Sequence, residues 1–282
     1  MKRLMVLIAA LLSVVILSAC SGSGGTASNT PQATTGKFID GPVKGLKYTY
    51  GNYSGTTAAD GSFSYLTGST VTFKVGDIVI GSVTGKGIIT PADLVANPWD
   101  ASMNPTTEVL NIIRFLLALD DASVAGSLTI PPAVTAAAAG KTINFATATD
   151  TDLATLLGQL GIDAATKLPT ALNAATHFKE SIMQLFIGTY SGTWSASSSS
   201  GSDHGTFTLT ISSTGNISGT YTKIGGSGSL VGTMKSDYTF EIYSSGGSHV
   251  IGTIDPSTGT FAGTLSDPTD LTAHGTFDGT KQ

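Results

Sequence analysis

The dipeptide Gly-Thr occurs ten times between residues 188 and 282, beginning at 188, 192, 205, 219, 232, 252, 259, 263, 275 and 279. Several copies precede an apolar or aromatic residue, among them Trp194, Phe207, Tyr221, Met234, Ile254, Phe261, Leu265 and Phe277. Side chains on a strand alternate between its two faces, so the repeat sorts by parity. Phe207, Leu209 and Ile211 share one side, and Thr206, Thr208 and Thr210 the other. Ile217, Gly219 and Tyr221 share a side, as do Gly259, Phe261, Gly263 and Leu265. Glycine therefore falls on the apolar face and threonine on the wet face. Glycine inside a strand weakens it but permits sharp coiling and close approach of a neighbouring backbone. Repeated on an inner face, it fits a small closed barrel.

Eight strands are predicted, centred on Thr193, Thr208, Thr220, Thr233, Phe240, Thr253, Thr264 and Thr276, with Gly, Ser, Asn and Asp-Pro between them. This chain of hairpins predicts an antiparallel meander over residues 188–282, closed as an up-and-down barrel. Closure also hides the edges of a charge-poor sheet. Large inward residues such as Trp194, Phe207, Tyr221, Phe240, Phe261 and Phe277 are able to fill an eight-stranded barrel.

The preceding residues have a different texture. Tyr48–Tyr50, Phe63–Tyr65, Val71–Val75 and Ile78–Ile80 read as strands, and Asp60-Gly61 between apolar runs is a tight-turn signal. Val71, Phe73 and Val75 alternate with Thr72 and Lys74, the period of a half-buried strand. Thr107–Leu119 reads as a helix that Asn104 caps and Pro105 opens. Its apolar residues Val109, Leu110, Ile112, Ile113, Leu116, Leu117 and Leu119 cover so many sides that the helix is buried. Arg114 within it is expected to form a structural ion pair with an Asp of the same module. Asp152–Leu160 and Pro169–Ile187 also read as helices. In the second, Leu172, Ala175, Ile182, Met183 and Phe186 share one broad face, and His177 reads as a surface or cap residue. The change from helical to period-two patterning at 187–190 places a boundary and a hinge near Gly188. The fold class is therefore mainly β with a helical middle: a small β module over 37–130, which the resemblance given below implies is a β-sandwich, a helical region over 131–187, and the barrel.

Composition excludes several functions. Fourteen basic against 19 acidic residues do not make a nucleic-acid binder. One Cys excludes a disulfide framework and a thiolate metal cluster. His204, His249 and His274 all lie in the barrel segment, on faces whose mutual placement alternation does not fix, and they read as exposed polar strand residues. Asp150-Thr151-Asp152 lacks the Gly and distal Glu of a calcium loop and reads as a helix N-terminus. No Gly-x-Ser-x-Gly follows a buried strand into a helix, and the Gly-rich runs lack a phosphate-loop Lys. No catalytic residue, metal or cofactor is expected.

Residues 1–20 read MKRLMVLIAALLSVVILSAC. Lys2 and Arg3 precede an uncharged apolar stretch from Leu4 to Leu17, shorter than the roughly 20 residues of a spanning helix. Leu17-Ser18-Ala19-Cys20 resembles the lipobox of bacterial lipoproteins. That resemblance implies a signal peptide over 1–19, cleavage before Cys20, and acyl chains on Cys20 that anchor the protein to a membrane. Ser21 in place of Asp favours the outer membrane, facing the periplasm or the cell surface. Cleavage would remove Lys2 and Arg3 and no acid, moving the formal net charge from −5 to −7. Residues 20–36 would then be a lipidated flexible tether.

The stretches FIDGPVKGLKY, GTTAADGSFSYLTG, VTFKVGDIVIG, ITPADL and LNIIRFLLALD make residues 38–120 similar to a transthyretin-like, carboxypeptidase-regulatory-like module of bacterial surface lipoproteins and adhesin-like proteins. Such modules act as spacers or binding units. Related copies continue after Leu-Asp like a calcium loop, whereas Asp120-Asp121-Ala122-Ser123 departs from that pattern. The predicted function is a non-catalytic binding or structural role, with a glycan or envelope protein as partner. Trp194 and Tyr243 are the aromatics predicted to reach the barrel surface, Tyr243 lying opposite in parity to Phe240 and Ile242. The alternative is a lipocalin-like carrier with a small apolar ligand in a hollow barrel, which needs a cavity of roughly 300 Å³ or more.

Overall fold

A computed structural model describes residues 32–121 and 127–282. The signal segment and the lipobox with Cys20 lie outside the described residues. The first part of the chain carries β1 (Ala33–Phe38), β2 (Val43–Lys44), β3 (Lys47–Tyr50), β4 (Tyr53–Thr56), β5 (Ser62–Leu66), β6 (Thr70–Val75), β7 (Ile78–Thr84) and β8 (Ile88–Ile89). They form a three-stranded sheet ordered β5-β1-β8 and a four-stranded sheet ordered β4-β3-β6-β7. Alternation buries Phe63 and Tyr65 of β5 and Val71, Phe73 and Val75 of β6. The two sheets meet through aromatic rings: Phe38 and Phe63 of one lie 4.8 and 5.1 Å from Phe73 of the other. The Asp60-Gly61 turn forms as predicted, with Gly61 at φ +75° and the Asp60 carboxylate accepting from the Ser62 amide.

Strand β1 begins within the segment 20–36 that the composition reads as a tether. Ala33–Gly36 pair with β5 in register, Ala33 opposite Leu66 and Gly36 opposite Phe63. A side chain at Gly36 would meet the Lys86 carbonyl oxygen at 2.5 Å and the Phe63 ring at 2.6 Å, so the bare backbone is what admits this strand.

Helix α1 (Thr107–Ala118) runs through the core and buries Val109, Ile112, Ile113, Phe115 and Leu116. Its N-cap is Thr106, not Asn104; Asn104 instead closes a turn by donating its amide to Asp100. After it come β9 (Leu128–Thr129), which pairs parallel with β2, then α2 (Pro132–Ala137), α3 (Asp150–Gln159), α4 (Ala164–Lys167) and α5 (Ala171–Phe186). Arg114 is buried, and its ion-pair partner is Asp150 at the start of α3, at 2.6 Å, not an Asp of the first module. Its Nε also donates to the Pro169 carbonyl. That bond from Arg114 holds the Asp150 carboxyl below the usual range. The buried face of α5 is Ala174, Phe178, Ile182, Met183 and Phe186; Leu172, predicted on it, is 76% exposed. His177 is also more engaged than predicted, with Nε2 3.0 Å from the Asp40 carbonyl oxygen. No helix among the described residues is long and apolar enough to cross a membrane.

The chain then enters β10 (Gly188–Ser198), β11 (Gly201–Ile211), β12 (Asn216–Lys223), β13 (Gly226–Met234), β14 (Thr239–Ser244), β15 (His249–Ile254), β16 (Thr260–Asp267) and β17 (Asp270–Lys281). Each strand pairs antiparallel with the next, and β17 returns to β10, Trp194 opposite Phe277, closing the barrel. All eight predicted strand centres fall within these strands. The inward glycines explain the tight closure. A side chain at Gly252 would meet the Gly263 Cα and the Phe240 ring at 2.5 Å, and one at Gly192 the Gly279 Cα at 2.5 Å.

Side-chain bonds cross the junction near Gly188. The Tyr190 hydroxyl donates to the Phe186 carbonyl at 3.0 Å, and Lys281 Nζ donates to the Leu185 carbonyl at 2.9 Å. The Phe186 ring lies 5.7 Å from Tyr238 in the β13–β14 turn. Tyr238 sits at φ +71°, and its phenol, 2.9 Å from the Thr90 hydroxyl, ties the barrel to the first module. Burial pushes that phenol well up from its ordinary range. The Ile88 amide donates to Ser257 Oγ across the same boundary. One end of the barrel thus abuts α5 and the module, and residues 32–282 form one compact unit.

Candidate functional site at the barrel mouth

Space inside the barrel is set by its aromatic layers. Phe207, Phe240, Phe261 and Phe277 are all within 2% of complete burial. Phe207 stacks on Phe277 at 3.8 Å and Phe240 on Phe261 at 3.9 Å, while Phe261 also faces Tyr190 at 6.0 Å. Above them Trp194, Tyr221, Leu230, Val250, Leu265 and Phe277 surround a space of about 30 Å³. That volume is on the scale of one water molecule. Aromatic rings take up most of the interior, and this space is far smaller than the cavity of roughly 300 Å³ or more expected of a lipocalin-like carrier.

Beyond Trp194 and Tyr221 the barrel opens into a cup of about 410 Å³ at the end remote from α5. Its walls are the β10–β11 tip from Ala196 to Asp203, Lys223, Gly246, Ser248, and Asp267 and Asp270 of the β16–β17 turn. Trp194 is 8% exposed, which corrects its prediction as a surface aromatic. Its parity with Tyr190 on β10 turns it inward. Its indole Nε1 donates to the Thr222 carbonyl at 2.8 Å, and its ring meets Tyr221 edge-on at 5.9 Å. The indole passes over Gly205, where an added side chain would lie 2.9 Å from Nε1. Glycine at that position lets the Trp fold across β11 and floor the cup.

The rim is rich in hydroxyls and carboxylates. The Ser197 and Ser202 hydroxyls lie 3.1 Å apart. Bonds from the Thr269 and Thr272 side chains hold the Asp267 and Asp270 carboxyls below the usual range, so both are ionised at neutral pH. With Asp203 they face one ammonium, Lys223. Such a surface offers fixed acceptors and rotatable hydroxyl donors to a polar ligand.

Tyr243 is on the outer wall, 49% exposed, and does not line the cup. Its ring stacks on His249 at 4.6 Å and an interplanar angle of 5°. Its hydroxyl donates to Glu241 Oε1 at 2.8 Å, which pushes the phenol up and holds the carboxyl down. His249 Nε2 reaches the same oxygen at 2.9 Å. The structure therefore separates Trp194 from Tyr243, and it brings His249 to Glu241 rather than to His204 or His274. His274 Nδ1 lies 2.9 Å from the Thr272 carbonyl oxygen. No group of three His, Cys, Asp or Glu side chains suited to a metal ion occurs among the described residues. The cup residues Ser197 to Asp203, Asp267 and Asp270 were not singled out in the sequence. The signal that marks them is positional: they occupy the hairpin tips on one end of an even-stranded meander.

The fold and cup together define a closed eight-stranded up-and-down barrel with a filled interior and an open polar mouth. No known protein-family profile matches this chain, and no curated protein matches it. Over 36% of its length the chain is similar to a de novo designed fluorescence-activating β-barrel, with 21% identity, a TM-score of 0.25 and 96% of that chain covered. A redesigned β-barrel matches over the same share of this chain, with 19% identity, a TM-score of 0.26 and 95% of that chain covered.

Proposed function

We propose that this chain is a lipid-anchored protein of the bacterial outer membrane with a non-catalytic binding role, and that the barrel mouth receives a hydroxyl-rich partner such as a glycan. The filled interior carries this reading. The space inside the barrel is about 30 Å³ and the cup at its mouth about 410 Å³, so of these two the mouth has the room for a ligand; a larger, shallower groove of about 620 Å³ runs along the outer wall by Lys235, Glu241 and Thr264. The cup pairs serine hydroxyls and aspartates with an aromatic floor, a combination that hydrogen-bonds sugar hydroxyls and packs against a sugar ring. The anchor rests on Leu17-Ser18-Ala19-Cys20, and the facing sheets of residues 33–89 serve as a spacer between anchor and barrel.

Titrating the full chain with envelope oligosaccharides is expected to give saturable binding that changes the Trp fluorescence. Asp270→Ala is expected to weaken that binding at least about tenfold, as removing a charge-assisted hydrogen bond does. Binding left unchanged by mouth substitutions but lost in Tyr243→Ala moves the site to the outer wall. The anchor is tested by metabolic labelling with a palmitate analogue: label is expected in the wild-type chain and absent in Cys20→Ala, and equal labelling of both removes the anchor from the reading.

A further inference from the structure

Asp40 lies in the turn between β1 and β2, and its side chain is wholly enclosed. Neither carboxylate oxygen has a hydrogen-bond partner among the described residues. An ionised carboxylate in such a place is strongly disfavoured unless a cation compensates it. Among the described residues one titratable group faces it, His177 of α5. Its Nε2 is 3.0 Å from the Asp40 carbonyl oxygen and 3.4 Å from Oδ1. Ser181 Oγ lies 3.4 Å from the same nitrogen.

The charges on neighbouring elements are directed elsewhere. Lys37 of β1 pairs with Asp60 at 3.0 Å, and Lys44 of β2 is exposed. Asp120 accepts from the Thr129 amide at 2.7 Å, and its carbonyl accepts from Lys167. Arg114 of α1 is paired with Asp150.

We propose that Asp40 and His177 form a proton-operated latch that holds the first β layer against α5 while they retain a shared proton, and that slackens when the proton is withdrawn. With two protons the carboxyl is neutral and the imidazolium donates to the Asp40 carbonyl. With one, the pair is either neutral on both sides or an ion pair. With none, a bare carboxylate is left in the core. The latch acts on the helix whose other end reaches the barrel floor, where Phe186 meets Tyr238, so its state bears on how firmly the barrel is seated.

The direction of the pH effect follows from burial. Burial pushes the Asp40 carboxyl up from 3.8 to about 7, against the opposing pull of His177. A carboxyl raised in the folded state binds more protons there than in the unfolded chain. Its contribution to stability is complete below pH 3.8 and is lost as pH rises through about 7.

The test is unfolding of the full chain at a series of pH values for wild type, Asp40→Asn and His177→Gln, with the Asp40 carboxyl followed by carbon NMR. Relative to Asp40→Asn, the wild-type folding equilibrium is expected to weaken at least about tenfold between pH 4 and pH 7, since one differentially bound proton gives up to tenfold per pH unit. His177→Gln, which removes the compensating cation, is expected to move the carboxyl titration further up. Amide exchange in α5 is expected to quicken over the same pH range. Parallel stability profiles for wild type and Asp40→Asn, or an Asp40 titration near 3.8, overturn the latch. Should Asp40→Asn not fold, the wild-type carboxyl titration and its displacement in His177→Gln decide the matter.

Discussion

Replacing Phe261 with Ala removes the hub of the barrel interior. The side chain is completely buried, and its ring faces Phe240 at 3.9 Å, Phe277 at 5.6 Å, Phe207 at 5.7 Å and Tyr190 at 6.0 Å. A buried Phe removes about 150–200 Å² from water, which at about 25 cal/mol per Å² is roughly 4 kcal/mol. Ring neighbours with their own partners do not collapse freely into the gap: Phe207 remains stacked on Phe277, and the Tyr190 hydroxyl remains bonded to the Phe186 carbonyl. Relaxation is therefore limited, and the loss is expected within the usual range of about 3–5 kcal/mol. Guanidinium unfolding of wild type and Phe261→Ala, followed by Trp fluorescence, measures it. An apolar cavity left by the ring stays dry and takes benzene, so saturating benzene is expected to restore part of the lost stability. A loss below about 1 kcal/mol with no response to benzene would refute the packed interior, because truncating a ring in an already hollow barrel creates no new cavity.

Two further substitutions probe separate parts of the fold. Gly252→Val forces a side chain against the Ala262 carbonyl, the Gly263 Cα and the Phe240 ring, where backbone must move; the melting temperature is expected to fall by an amount equivalent to about 2 kcal/mol or more. Thr57→Val deletes a buried hydroxyl that donates to the Val43 carbonyl at 2.6 Å and accepts from the Leu46 amide at 3.0 Å; leaving both unmet costs roughly 2–3 kcal/mol by denaturant titration, whereas Thr57→Ser keeps both bonds and most of the stability.

The barrel was legible because its information is local. Parity within each strand, read from Gly-Thr and the following aromatic, places the inner face and the strand centres without any distant contact. Trp194 fits two readings in the sequence, an inward barrel residue and a surface aromatic, and its parity with the buried Tyr190 decides for the first. Ala33–Gly36 were hidden because that strand carries no apolar alternation; it is held by pairing with β5 and by the missing side chain of Gly36. The face of α5 is legible in its second half, where Ile182, Met183 and Phe186 are buried as predicted, but not in its first turns, where Leu172 is apolar yet exposed while Ala174 and Phe178 carry the contact. Arg114 was read correctly as an ion-pair residue, but Asp150 is 36 positions away, and its identity depends on how α3 packs. Asp40 and His177 are 137 positions apart, and no periodicity in either segment links them.

The central claim is that this barrel is filled and meets its ligand at the mouth. Isothermal titration of the full chain with retinol, palmitate and haem tests it most directly. With about 30 Å³ inside, no saturable heat and no stoichiometric complex are expected for any of the three. A one-to-one complex that quenches Trp194 and is abolished by enlarging an inner-wall glycine would contradict the account and make the barrel a carrier.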